Sequence, residues 1–340
     1  MDLIASTWTA TRSESQAPPT GTVAPAHPLF YGSLMSKPVF SAQPYAGIAT
    51  FGRVPFAADP TGADVAILGV PYDGSVSYRS GTRFGPRAIR EQSLLLWGYN
   101  NAQQVAPFTS QKIVDLGDVD VVPPDIRATH QQIEIAASKV LSAGSKLLSL
   151  GGDHSISLPL LRAHAKQHGP VAVIHFDAHP DTWDSEYPGQ PYSHGTPFKR
   201  AIEEGLIDTA AYVQLGIRGP TAGPQDYADA LALGARMITL DEFRRRSLDD
   251  VLQEVRTRVG SRPTYVTLDI DVVDPAFAPG TGTPEVGGLT SYEMLQLVRG
   301  LRGLNLIGFD LVEVSPPFDH SNITAILAAN LAFEFLSLLV

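Results

Sequence analysis

Residues 171–181 read VAVIHFDAHPD, a short apolar run that ends in polar side chains spaced two residues apart. A bounded run of this length, rich in β-branched residues, is typical of a strand buried inside a sheet. Side chains two residues apart in an extended chain point to one face, so Asp177, His179 and Asp181 are expected to lie together. The stretch therefore predicts a buried strand with a polar cluster at its carboxyl end.

Further runs of this kind alternate with helical patterns along the chain. The predicted strands are 65–70, 112–116, 147–150, 171–176, 212–217, 236–240, 265–270 and 306–314, and the predicted helices include 126–142, 158–168, 248–259 and 291–301. Ser157 and Thr290 are predicted to cap two of these helices. Alternation of strands and helices favours a parallel sheet covered on both faces. The predicted fold class is α/β, with three α-β-α layers around a central, mostly parallel eight-stranded sheet.

The two ends of the chain differ from this core. Residues 1–28 are rich in Ser, Thr, Ala and Pro, which predicts a flexible N-terminal arm before a single domain at 29–340. The first residues lack the basic and then apolar pattern of a secretory signal, so a cytoplasmic location is expected. The apolar segment 323–340 contains Asn330 and Glu334, which favours a packed C-terminal helix over a membrane span.

Composition restricts the chemistry and the partners. The 340 residues include 35 acidic and 25 basic side chains, for a net charge of −10, and no cysteine. Without a run of Lys or Arg, nucleic acid is not an expected partner. Without cysteine, a metal site here has to use histidine and carboxylate ligands.

Two other predicted strands also end in such ligands. The run TYVTLDIDVVDP ends in Asp269 and Asp271, and LLSLGGDHS places His154 after a third strand. Four carboxylates at neighbouring strand ends would repel one another, and two divalent cations would balance their charge. Oxygen-rich ligand sets with some imidazole suit Mn²⁺, Zn²⁺, Ni²⁺ or Fe²⁺.

These blocks resemble the ureohydrolase (arginase/agmatinase) family, and more closely its agmatinase and guanidinobutyrase branch than arginase itself. The motifs that carry the resemblance are RSGTRFGPRAIR at 79–90, GGDHS at 151–155, FDAHPD at 176–181, SHGTPF at 193–198 and DIDVVDPAFAPGTGTPEVGGLT at 269–290. They occur in the family's order, from about residue 65 to the C-terminus. The resemblance implies an arginase-like fold and a hydrolase that cleaves a small guanidino compound to urea and an amine.

The resemblance also implies a binuclear metal centre with six ligands. One ion would bind His154, Asp177, Asp181 and Asp269, and the other would bind His179, Asp177, Asp269 and Asp271, with Asp177 and Asp269 bridging. Mn²⁺ is the expected metal and Ni²⁺ the alternative. A homo-oligomer, a trimer or hexamer, is implied as well, and a hetero-oligomer with a related subunit remains open.

The remaining roles follow the same resemblance. His194 would shuttle a proton to the departing amine, and Glu313 would pair with the guanidinium through two parallel hydrogen bonds. Asp181 would accept a hydrogen bond from the hydroxide, and Thr283 would lie near the reacting nitrogen. Among the other histidines, His130, His164 and His168 are expected to be solvated or capping residues, and His175 is expected on the opposite strand face. Asp153 is expected to orient its neighbour His154.

The loop at 182–193 is expected to select the substrate. It contains Trp183, Tyr187 and Glu186 but no Lys or Arg, which favours a cationic or compact guanidine, as in an agmatinase-like enzyme. Arg79 or Arg218 would still allow a guanidino acid, as in guanidinobutyrase or guanidinopropionase, and free guanidine or a substituted biguanide, with nickel, also stays open. Two other classes are a non-catalytic scaffold subunit and a single-zinc amide hydrolase of the deacetylase type; the latter would not need Asp181 and Asp271.

Overall fold

The eight predicted strands form one parallel sheet in the computed structural model, which describes residues 43–340. The strands are β1 (Val65–Val70), β2 (Ile113–Asp118), β3 (Lys146–Gly151), β4 (Val171–Phe176), β5 (Ile207–Ile217), β6 (Arg236–Thr239), β7 (Thr264–Asp269) and β8 (Leu306–Val312). Their order across the sheet is β2-β1-β3-β8-β7-β4-β5-β6, and every pair is parallel. The predicted arm at 1–28 lies outside the described residues, and residues 48–340 form one unit.

Helices cover both faces of this sheet. They are α1 (Gly85–Ser93), α2 (Pro107–Ser110), α3 (Ile126–Ser142), α4 (Ser157–His168), α5 (Pro197–Glu203), α6 (Gln225–Ala232), α7 (Leu240–Phe243), α8 (Leu248–Val259), α9 (Ser291–Arg299) and α10 (Ile323–Leu338). One core contains side chains of α1, α8, α9 and α10, and the other contains side chains of α3, α4 and α5. Alternate strand residues enter the two cores, as Ala66 and Ile67 do in β1. The predicted three-layer α/β class is confirmed.

The order of the strands determines where a site can form. The neighbours β3, β8, β7 and β4 occupy the middle of the sheet, and the register pairs Phe176 with Leu268 and Asp269 with Val312. Because all four strands run in one direction, their carboxyl ends meet at the same edge. This is the edge at which ligands bind in open α/β sheets.

Most element boundaries agree with the sequence prediction, and a few differ from it. The helix at 126–142 is as predicted and is capped by Asp125, whereas β5 begins earlier than expected, at Ile207. Thr290 forms a capping box with Glu293, as predicted for a helix start. Ser157 is not a cap: it is the first residue of α4, and its hydroxyl donates to Asp310 at 2.8 Å.

The C-terminal helix is also confirmed, as α10. Its side chains are buried along most of its length because α10 packs against α1 and α9. Among residues 43–340, no helix has the length and apolar character needed to cross a membrane.

Gly152 tests how tightly the strand ends are packed. A Cβ atom there would collide with the carbonyl oxygens of Val70 and Tyr72, and backbone atoms cannot move aside as a side chain can. We expect Gly152→Ala to lower the free energy of unfolding by about 1–3 kcal/mol. Gly98→Ala is the matched control, since nothing lies within 4 Å of the added Cβ. Thermal unfolding of both variants measures the effect, and equal stability would contradict the packing described here.

Candidate metal centre and its surroundings

The ring nitrogen Nδ1 of His154 lies at the centre of a group of carboxylates. It is 3.1 Å from Asp177 Oδ2, 2.9 Å from Asp181 Oδ2 and 3.3 Å from Asp269 Oδ2. His154 follows β3, Asp177 and Asp181 follow β4, and Asp269 ends β7. Donor atoms that bind one ion at about 2.0–2.2 Å are spaced in this way around it.

A second group lies beside the first and shares Asp177 with it. His179 Nδ1 is 3.0 Å from Asp271 Oδ2 and 3.6 Å from Asp177 Oδ1. The backbone N–H of His179 donates to the same Asp177 oxygen at 2.6 Å. Asp177 thus presents one oxygen to each group. Asp269 presents only Oδ2 to the first group, because its Oδ1 accepts the N–H of Asp271 at 2.8 Å.

The donor atoms of these two groups fit a pair of cations. His154 Nδ1 and Asp271 Oδ2 are buried and make no hydrogen bond in the described part of the chain. Burial raises the pKa of Asp269 well above its usual value, and repulsion from Asp271 and Asp177 adds to this effect. Burial and the Asp177 charge likewise raise the pKa of Asp181, to about 7. Unsatisfied polar atoms and crowded buried charges are costly, and divalent cations would remove both costs.

A chain of hydrogen bonds behind His154 fixes its orientation. His154 Nε2 lies 2.9 Å from Thr267 Oγ1, and that hydroxyl donates to Asp310 Oδ1 at 2.6 Å. Asp310 Oδ2 accepts the Tyr265 hydroxyl at 2.6 Å. Because Thr267 uses its proton on Asp310, it accepts from His154, so Nε2 carries the proton. The lone pair of Nδ1 therefore points into the carboxylate group, as a metal ligand requires.

His175 lies beside the site, which corrects the expectation that it faces away. Its Nε2 is 2.7 Å from Asp177 Oδ2, and its Nδ1 is 3.0 Å from the Tyr212 hydroxyl. Residues 175 and 177 are two apart on one strand, so they share a face. The side chain is fully buried and stacks near Phe198, with ring centroids 4.0 Å apart. This geometry suits a side chain that holds Asp177 in its orientation through a hydrogen bond.

His130 and His164 also differ from the expectation of solvated side chains. Both are buried on the inner faces of α3 and α4, and burial lowers their pKa to about 3 and about 4. His164 Nδ1 lies 2.8 Å from the Leu160 carbonyl oxygen, and its ring packs against Tyr265. These neutral imidazoles belong to the packing of helices on the sheet, whereas His168 is exposed.

Glu313 and His194 form a buried pair next to the carboxylates. Glu313 Oε1 lies 3.0 Å from His194 Nδ1 and accepts the backbone N–H of His154 at 2.9 Å. Glu313 Oε2 is buried without a partner among the described residues. Since Oε1 is already bonded twice, the carboxylate presents one free oxygen, and the expected pair of parallel bonds to a guanidinium does not match this geometry.

Two of these site residues have backbone conformations that are rare for residues other than glycine. Asp181 has φ 47° and Glu313 has φ 63°, both in the left-handed region. Such conformations cost of order 1–3 kcal/mol and persist only where the surroundings enforce them. Here the Glu313 N–H donates to the Gly152 carbonyl at 2.9 Å, and the Phe198 N–H donates to the Asp181 carbonyl at 3.2 Å. The surrounding structure thus holds these two carboxylates in orientations that require an unfavourable backbone conformation.

The loop at 182–193 lies over the same edge. The Trp183 ring centroid is 6.5 Å from that of His179, and Glu186 Oε2 accepts the N–H of Gly195 at 2.9 Å. Glu186 Oε1 lies 3.8 Å from His194 Nε2. The Tyr187 hydroxyl donates to the Val76 carbonyl at 2.7 Å and so joins this loop to the segment after β1.

Three other predicted site residues occupy different surroundings. Thr283 is partly exposed and follows Gly282, at which a Cβ would lie 3.6 Å from Glu313 Oε2. Asp153 is fully buried and accepts the N–H of Ser75 at 3.0 Å, which ties the loop after β1 to the residue before His154. Arg218 donates to the carbonyl oxygens of Gly216, Asp271, Val272, Glu285 and Val286.

Paired His/Asp groups at the strand ends of a parallel α/β sheet are the kind of donor set that dinuclear-metal hydrolases use. The sequence profile of the arginase family matches residues 63–337, and the chain belongs to that family. Enzymes of the family use a binuclear metal centre and hydrolyse guanidino compounds to urea and an amine. The predicted ureohydrolase class, acting on C–N bonds, is therefore confirmed.

Individual relatives agree with this placement. The chain is 48% identical to a guanidinopropionase of Pseudomonas aeruginosa over 87% of this chain and 92% of that protein. It is 46% identical to the human mitochondrial guanidino acid hydrolase over 88% of this chain and 85% of that protein. The solved proclavaminate amidinohydrolase of Streptomyces clavuligerus superposes with a TM-score of 0.83 at 47% identity, over 87% of this chain and 98% of that one.

The hydroxyl of Thr267 provides a test of the support behind His154. We expect Thr267→Val to weaken Mn²⁺ binding about 10–100-fold, because losing an outer partner of a histidine ligand releases its orientation. Thr267→Ser keeps the hydroxyl and is the matched control. Calorimetric titration of the metal-free protein measures both affinities. Equal affinity in the valine and serine variants would show that the hydrogen bond to His154 is dispensable.

Proposed function

We propose that this enzyme hydrolyses a small guanidino compound whose remainder is cationic or compact, in the manner of an agmatinase. The observation that carries the proposal is the free oxygen of Glu313. This carboxylate oxygen is buried and unpartnered beside the two ligand groups, so a charged N–H donor such as that of a guanidinium would satisfy it. Release of urea and an amine from such a compound is the reaction to be tested.

We assign the metal ligands as the two groups of donors suggest. His154, Asp177, Asp181 and Asp269 would hold one ion, and His179, Asp177 and Asp271 the other, with Asp269 as the second bridging ligand that the family resemblance implies. Such a pair of ions supplies hydroxide near neutral pH by lowering the pKa of water. The carboxylate-rich set suits Mn²⁺ better than Ni²⁺, which remains the alternative.

The remaining residues bind and orient the substrate. Glu313 Oε2 would hold the guanidinium carbon against the ligand groups, with Thr283 at its edge and Trp183 above it. Asp181, the ligand at the left-handed turn after β4, would accept a hydrogen bond from the attacking hydroxide. His194 would return a proton to the departing nitrogen, since a charged imidazole can act as a general acid.

The side chains around the site favour a substrate whose part beyond the guanidinium is cationic or compact. Arg218 is occupied by backbone carbonyl oxygens, so it is not free to bind a carboxylate tail. Glu186 makes no ion pair with Lys or Arg in the described part of the chain and lies next to His194. A partly buried carboxylate beside an indole ring attracts cations.

A guanidino acid is the second candidate, and Arg79 is the observation that favours it. Its guanidinium stacks over Tyr78 and Phe318, at 5.5 and 4.9 Å from the ring centroids, and has no carboxylate partner among residues 43–340. The carbonyl oxygen of Arg79 lies beside Gly282 and hence near Glu313. The relatives named guanidinopropionase and guanidino acid hydrolase point the same way.

We also propose a homo-oligomer, a trimer or hexamer as the family resemblance implies. Exposed apolar side chains near one surface groove, among them Phe277 and Ile323, support an association. A related subunit in the same assembly stays open, and so does the cytoplasmic location expected from the sequence. Light scattering on the purified chain measures the assembly.

Removal of one ligand tests the metal assignment. We expect Asp271→Asn to abolish turnover and to reduce bound metal from two ions to one per chain, because the second group loses its charged oxygen. Asp177→Asn should abolish turnover as well, since Asp177 serves both groups. Asp249→Asn, at an exposed helix position, is the matched control. Near-normal activity of Asp271→Asn with added metal would refute the assignment.

A substrate panel tests the substrate class. Protein reconstituted separately with Mn²⁺ and Ni²⁺ is assayed for urea from agmatine, 4-guanidinobutyrate, 3-guanidinopropionate, arginine, guanidine and dimethylbiguanide. Glu186→Gln should raise KM for a cationic substrate about tenfold or more, and Arg79→Gln should leave that KM unchanged. The reverse pattern would favour a guanidino acid. If the wild type binds two ions and releases no urea from any of these compounds, the result would indicate a scaffold subunit.

A further inference from the structure

Both ring nitrogens of His194 are already engaged, and this restricts how it can move a proton. Nδ1 lies 3.0 Å from Glu313 Oε1, while Nε2 lies 2.8 Å from Ser77 Oγ and 3.0 Å from the Ser77 backbone nitrogen. The ring itself is only 7% exposed. A proton that leaves this imidazole therefore passes first to Glu313 or to Ser77.

The backbone N–H of Ser77 identifies the tautomer of the neutral ring. A backbone N–H can only donate, so Nε2 accepts and the proton lies on Nδ1, facing Glu313. Burial lowers the pKa of His194, but the hydrogen bond to Glu313 and the charges of Glu186 and Asp181 outweigh it and raise the pKa to about 10. The Ser77 N–H opposes that rise because only the neutral ring accepts its hydrogen bond. Both forms of the ring therefore have a hydrogen-bond partner in this pocket: the neutral ring accepts from the Ser77 N–H, and the charged ring donates to Glu313.

The Ser77 hydroxyl can serve both states. It donates to Nε2 when the ring is neutral and accepts from Nε2–H when the ring is charged. Ser77 is exposed, in contrast to the buried His194, so its hydroxyl connects the ring with the open side of the site. The neighbouring contacts hold it there: the His194 N–H donates to the Ser75 carbonyl at 3.2 Å, and Tyr187 bonds Val76.

We propose that Ser77 is the proton relay of this enzyme, through which His194 reaches the departing nitrogen. The inference rests on the proposed function. In the overall reaction a guanidinium and water give urea and a protonated amine, so both protons of the water end on the departing nitrogen. For one of them, Ser77 gives its hydroxyl proton to that nitrogen while Oγ takes the proton of the charged ring from Nε2. The carbon–nitrogen bond then breaks, and the ring is left neutral, with its remaining proton on Nδ1; it is charged again by the proton that the attacking water releases in the next turnover.

Substitution of Ser77 tests the relay. We expect Ser77→Ala to lower kcat on the order of 10²-fold while KM and bound metal stay at wild-type values. Ser77→Thr should restore most of kcat, because it returns a hydroxyl to the same carbon. Ser80→Ala, at an exposed serine of the same loop, is the matched control. Added imidazole or a small amine should raise kcat of Ser77→Ala and leave the wild type unchanged.

Other results would overturn the relay. A wild-type kcat in Ser77→Ala would do so. A Ser77→Thr variant that is as slow as the alanine variant and has a raised KM would do so as well. Either result would mean that Ser77 acts only through packing. A second readout does not depend on turnover: in histidine-labelled, Zn²⁺-loaded protein, exchange of the His194 ring proton with solvent should slow in Ser77→Ala. Unchanged exchange contradicts the relay, whereas a wild type that releases no urea contradicts the proposed function instead.

Discussion

Repulsion among buried carboxylates is the constraint on which this structure depends. Parallel strands bring Asp177, Asp181, Asp269 and Asp271 to one edge, where burial and mutual repulsion raise the pKa of three of them. Nothing in a hydrophobic core would keep such a set together without compensation. Divalent cations would compensate this repulsion, so we expect metal binding and the folding of this edge to be linked.

The parts of this arrangement that the sequence predicts are local ones. Each strand is an apolar run, and the spacing of two between Asp177, His179 and Asp181 follows from extended geometry. The same rule, applied to residue 175, would have placed His175 with them, so that signal was present and misread. Ser157 was misread for a different reason: its hydroxyl is used by Asp310, which lies 153 residues along the chain.

Local sequence patterns do not predict contacts between distant segments of the chain. Ser77 meets His194 across 117 residues, and Thr267 meets His154 across 113 residues. No periodicity indicates such pairs, because they depend on how loops lie over the strand ends. The sequence also does not predict the left-handed backbone conformation of Glu313, because this conformation is usual for glycine and not for glutamate.

The two oxygens of Glu313 join three parts of the site. Oε1 holds the backbone of His154 and the ring of His194, while Oε2 faces the place assigned to the guanidinium. A cation bound at Oε2 draws charge from the carboxylate and weakens its attraction for a proton on His194. Under the proposed function, substrate binding would therefore make the ring a better acid at the moment a proton is needed. One buried carboxylate would thus couple recognition of the substrate to the proton transfer that releases the product.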